Sequence, residues 1–189
     1  MRPIHFRIAS ALLWLALVGA AFTAPPAAPD GARLIVKLAT ADLAGVNLSL
    51  FALFNLMGVW PMAMAVALRF DQPWWKWLFL AASFGGGAFA LLPYFVLRPW
   101  LELRREPTSF AGRLLSSRWV LRALVLAALC FGALFLFGGL GEFATLFDTQ
   151  QFPRVMSLDF VAFCIAGLLL VTERGVSGAG VSPATHRTP

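Results

Sequence analysis

The sequence predicts an all-α fold, a polytopic transmembrane helix bundle of four or five spans, and three observations predict it. Of its 189 residues, 60% are hydrophobic and only 13% are charged, whereas soluble domains run at roughly 45 to 50% apolar and about 25% charged. The mean hydropathy is +0.79, more apolar surface than a water-soluble domain of this length can hide. The apolar residues also fall in runs of about 20, the length a helix needs to cross roughly 30 Å of hydrocarbon. A soluble enzyme, a disordered chain, a disulfide scaffold and a nucleic-acid-binding domain are therefore set aside, although the net charge is +6.

The first apolar run, 8–24, follows Arg2 and Arg7 and stops at Pro25, Pro26 and Pro29, which no helix continues through. It fits a first span. It also fits a signal peptide, with Val18 and Ala20 at a plausible cleavage spacing. The retained helix is preferred, since the later spans can direct insertion themselves. The rest of 1–47 is a loop rich in proline and alanine, with room for a short surface helix; the apolar piece 34–38 is too short to cross. Three further runs, 48–68, 77–97 and 120–140, carry no lysine, aspartate or glutamate, and Arg122 near one end can snorkel to the headgroups. A last span, 155–172, is opened by Pro153. The small, polar tail 175–189 is expected to be disordered.

Orientation follows lysine and arginine. The connection 98–122 holds Arg98, Arg104, Arg105, Arg113, Arg118 and Arg122, which suits a cytoplasmic loop touching anionic lipid headgroups. With five spans, that choice puts ten basic residues inside and five outside, but strands Arg2 and Arg7 on the wrong side. An even number of spans removes the conflict. Trp74, Trp75 and Trp77 cluster at one predicted boundary, and Trp100 and Trp119 flank the arginine loop, as interfacial anchors do.

Polar groups and helix breakers inside the spans are the candidate sites, because an unpartnered polar group is costly in lipid. Asn55, Gly58 and Pro61 form one such cluster: Pro61 has no N–H for the carbonyl one turn back, and Gly58 permits close approach. An interhelical hydrogen bond at a proline kink is the plainer account of Asn55. In the third span Ala82, Gly86 and Ala90 recur every fourth residue beside Ser83 and Gly87, a small-residue face for close helix packing. Pro93 kinks the end of that helix. Ala128 and Gly132 repeat the small-residue pattern more weakly. Asp159 invites a proton or cation relay, but its expected place in the first turn of its helix makes it a cap.

Several chemistries lack their residues. The two histidines, His5 and His186, lie in the terminal stretches, so no intramembrane histidine can ligate a haem or metal. Cys130 and Cys164 show no C-x-x-C spacing. Phosphate-binding glycine loops, the G-x-S-x-G elbow and paired intramembrane carboxylates are all missing. No catalytic residue, cofactor or metal is expected.

The stretch 51–95, with Phe54-Asn55-Leu56-Met57-Gly58-Val59-Trp60-Pro61, Ser83-Phe84-Gly85-Gly86-Gly87 and Leu91-Leu92-Pro93-Tyr94-Phe95, resembles a family of small uncharacterised membrane proteins of cyanobacteria and plastids. The resemblance implies a polytopic membrane protein in a plasma or thylakoid membrane, and no activity or cofactor. The leading functional expectation is a non-catalytic accessory or assembly component. Its partners would be the bilayer, helices of other membrane proteins or a second copy of itself. The alternative is a small transporter or channel working through Asn55, Pro61 and Gly85 to Gly87.

Overall fold

A computed structural model describes residues 3–70, 74–98 and 117–179. Seven α-helices form it: α1 (Pro3–Phe22), α2 (Gly31–Thr40), α3 (Leu48–Ala67), α4 (Lys76–Leu97), α5 (Arg118–Phe137), α6 (Leu140–Thr149) and α7 (Gln151–Ala179), with one 3₁₀ turn at Leu68–Phe70. No strand occurs among the described residues. Five helices, α1, α3, α4, α5 and α7, are long and apolar enough to cross a membrane. The all-helical membrane class read from composition is thus what the chain adopts.

α4 is not one straight helix. Gly87 has φ 54° and ψ −139°, which breaks the helix into two arms, 76–86 and 88–97. The arms fold back on each other. Trp75 and Tyr94 meet with ring centroids 5.1 Å apart, and Phe79 and Tyr94 at 5.9 Å; in a straight helix residues 75 and 94 would stand about 28 Å apart. The expected straight segment 77–97 is therefore corrected to a helical hairpin. Its entry and exit lie on one face of the bundle, where Lys76 donates to the carbonyl of Leu68 at the end of α3 and Arg98 pairs with Glu173 near the end of α7.

The other four long apolar helices carry no such break. α1 begins at the face where α4 ends, since Phe6 packs on Phe95 and the Arg7 guanidinium donates to the Arg98 carbonyl. α5 runs antiparallel to α3, with the Ser49 hydroxyl donating to the Phe135 carbonyl and Phe51 packing on Phe131. The chain passes closely there: a Cβ on Gly138 would come within 2.6 Å of the Ser49 nitrogen. Asn47 fastens the opposite face. Its side chain caps α3 by accepting from the Leu50 N–H, and its amide donates to the Gly139 carbonyl and the Glu142 carboxylate. Arg7, Arg69, Lys76, Arg98, Arg118 and Arg122 end up on the first face, and Arg33, Lys37 and Arg154 on the second.

The main core lies between α1, the hairpin, α3 and α7, with Phe6, Leu17, Met64, Leu80, Leu91, Tyr94, Phe95 and Phe163 buried. A smaller cluster of Leu38, Leu50, Leu53, Phe143 and Met156 seats the two short helices α2 and α6 on the second face. α2 is the short surface helix expected in the first loop. α6, between the expected spans 120–140 and 155–172, is not among the elements the sequence predicts; Gly139, at φ 106°, turns the chain into it. α7 starts four residues before the predicted span and continues to Ala179, so the part of the expected disordered tail up to 179 is helical. The remainder, 180–189, lies outside the described residues.

Candidate functional site at the hairpin tip

A triple glycine at the turn makes the reversal sterically possible. Gly87 adopts a positive φ that side chains rarely tolerate, and a Cβ there would collide with the Asp159 carboxylate and the Met57 methyl group. Ending the first arm at Gly86 leaves the carbonyls of its last turn without intrahelical donors, and starting the second at Ala88 leaves free amides. Irregular backbone at membrane depth survives only where protein or a cavity satisfies it. Both conditions hold here.

Asp159 satisfies the amides. It is 4% exposed, and its Oδ1 accepts from the Phe89 N–H at 3.2 Å. The Ala88 amide faces the same carboxylate. Asp159 is the ninth residue of α7, about 12 Å along the helix from its start. The expectation that it caps its own helix is corrected: α7 begins earlier than the sequence suggested, and the carboxylate caps the return arm of another element. A second graft completes the arm. Pro93 removes the N–H that would bond the Phe89 carbonyl one turn back, and the Trp14 indole N–H of α1 donates to that oxygen at 3.1 Å.

A cavity of about 310 Å³ lies beside the tip, lined by Phe54, Met57 and Gly58 of α3, by Phe84 to Gly87 and Phe89 of the hairpin, and by Phe152, Val155, Met156 and Asp159 of α7. Its walls come from the half of α7 nearer the second face, so it approaches the tip from the side opposite to the hairpin's entry. Asp159 is the only ionisable group among its lining residues. Pro61, buried in α3, has no N–H for the Met57 carbonyl, and Met57 lines the cavity.

The other expected site residues fall elsewhere. Asn55 donates to the Phe51 carbonyl of its own helix at 2.9 Å and does not line the cavity. Ala82 and Ala90 sit on different arms, so the four-residue repeat with Gly86 is not one helix face; Gly86 would meet only Ala90, at 3.4 Å. The small residues serve a turn, which corrects the helix-packing expectation. Ser83 is buried and donates to the Leu80 carbonyl. Ala128 and Gly132 line an apolar groove of about 800 Å³ between α3 and α5. Arg98 is committed to Glu173 at 3.0 Å, so headgroup contact is not its only role, while Arg118 and Arg122 are exposed, Arg122 over the Trp119 ring. Arg104, Arg105 and Arg113 lie outside the described residues. No protein-family model, curated protein or solved structure matches the chain.

Proposed function

We propose that the protein is a small transporter or channel whose pathway passes the tip of the re-entrant hairpin. A helix broken at Gly87, closed by the buried Asp159 carboxylate and facing a cavity, carries this reading. Interrupted helices cost hydrogen bonds that an ordinary anchor helix keeps, and they recur where a membrane protein must offer backbone groups to a solute. The first face is cytoplasmic on this reading, because it collects the basic residues. α1 belongs to the working protein, since Trp14 holds the return arm and Phe6 and Leu17 are part of the core. If the likeness of 51–95 to the cyanobacterial and plastid family holds, the membrane is a plasma or thylakoid membrane.

Two glycines allow a test that spares the fold. A Cβ on Gly58 or Gly85 meets nothing within 4 Å, yet both residues line the cavity. Purified protein in liposomes should raise the permeability to at least one solute in a panel of salts, urea and glycerol, read by light scattering after an osmotic step. Gly58→Leu and Gly85→Leu should each cut that permeability about tenfold or more while keeping the wild-type elution profile. Permeability equal to empty liposomes across the panel would retire the proposal.

A second reading, an accessory or assembly component packed against partner helices, is favoured by α5. None of its described residues is buried, and it leaves the groove at Ala128 and Gly132 open. Copurification of a stoichiometric partner from gently solubilised membranes, lost on Gly132→Leu, is the result that reading requires.

A further inference from the structure

The cavity's chemistry narrows the kind of solute it can hold. A buried charge in a low-dielectric site must be balanced, and the single ionisable group in this lining is acidic. An anion would be repelled by it. The one feature that attracts anions, the amide end of the arm 88–97, is already taken by the same carboxylate through Phe89. Against this negative group stand carbonyl dipoles. The arm 76–86 points its carboxyl end at the tip, and the carbonyls of its last turn have lost their helical donors. The Met57 carbonyl has lost its donor to Pro61. Carbonyl and carboxylate oxygens together are hard-cation ligands. One negative charge fits a monovalent ion, since a divalent one would leave an uncompensated positive charge in the bilayer interior. The volume of about 310 Å³ has room for such an ion with part of its water, at about 30 Å³ per water.

We propose that the hairpin tip binds a small monovalent metal cation between the Asp159 carboxylate and the freed carbonyls around Gly85, Gly86 and Met57. The assignment deepens the transport reading by naming its solute class, and it rests on the same cavity. It is tested at equilibrium, without flux. The unfolding temperature of the detergent-solubilised full-length protein is measured by intrinsic tryptophan fluorescence in lithium, sodium, potassium and N-methylglucamine chloride at one ionic strength. One alkali cation should raise it by several degrees with saturation, and N-methylglucamine should not. Asp159→Asn should abolish the difference, with Asp148→Asn, a change on exposed α6, leaving it intact. Where Asp159→Asn does not fold, Gly85→Leu, which fills the cavity, is the variant that must lose the response. Equal unfolding temperatures in all four salts, or a cation response that survives both changes, overturns the proposal. The two readings fail separately. Solute flux blocked by Gly85→Leu with a flat salt series removes the cation and keeps the pathway. A saturable, Asp159-dependent shift without flux keeps the site and removes transport.

Discussion

Gly87 and Asp159 depend on each other through an unusual backbone angle. At φ 54° and ψ −139° the glycine turns the chain back, and the space its missing side chain leaves is filled by the carboxylate. Gly87→Ala therefore meets two costs, about 1 to 3 kcal/mol of backbone strain and a collision that either the aspartate or Met57 must relieve by moving. The expected outcome is loss of monodisperse protein in mild detergent, or a destabilisation above about 3 kcal/mol. Gly85→Ala, which meets nothing, is the matched control and should elute as wild type. Removing the carboxylate is milder but follows the same logic: Asp159→Ala strands the buried Phe89 N–H, which costs roughly 1 to 3 kcal/mol, whereas Asp159→Asn keeps an acceptor and should cost less. Trp14→Phe deletes one donor to the Phe89 carbonyl, worth about 1 kcal/mol. Unfolding temperatures ranked Gly87→Ala lowest, then Asp159→Ala, then Asp159→Asn would match this order; an unaltered Gly87→Ala protein would mean that the chain does not turn there.

The hairpin α4 shows what apolar length can and cannot say about an element. Its ends, Lys76 and Leu97, lie within a residue of the predicted run 77–97, because charge and apolar composition mark where a chain enters and leaves lipid. Whether it then crosses or returns depends on one glycine torsion and on partners distant in sequence, Trp14 and Asp159, which hydropathy does not register. One signal existed. Three consecutive glycines stand at the midpoint of the run. The place of Asp159 escapes hydropathy for a related reason: α7 opens with polar turns from Gln151, ahead of the first strongly apolar residues that mark a span. The hairpin is directly measurable. In a background with Cys130 and Cys164 replaced by alanine, single cysteines at Trp74 and Leu97, 72% and 62% exposed, should both react with a membrane-impermeant maleimide from one side of sealed vesicles. Labelling from opposite sides would require a straight, crossing helix.

Four crossings instead of five would change the sidedness of the whole molecule, and with it the meaning of its charge. With five crossings the sequence forces a conflict, since Arg2 and Arg7 oppose the arginine loop. When α4 returns to the face it entered, α1 starts, α4 starts and ends, α5 starts and α7 ends on that same face. Counted along the chain, twelve of the fifteen lysines and arginines then precede, follow or connect those ends, and only Arg33, Lys37 and Arg154 belong to the other side. That asymmetry is far steeper than ten against five, and the positive-inside tendency that was divided under one topology becomes uniform under the other. Counted the same way, the acidic residues outside the spans divide evenly, four to each side, so the asymmetry belongs to the basic residues alone. Alkaline phosphatase fused in turn after Ala44, Arg98, Asp148 and Glu173 discriminates the two topologies. Four crossings place 44 and 148 outside, with high activity, and 98 and 173 inside, with low activity. Five crossings separate 44 from 148 and join 44 with 98, so equal activity at 44 and 98 would dismantle the hairpin and, with it, the cavity at its tip.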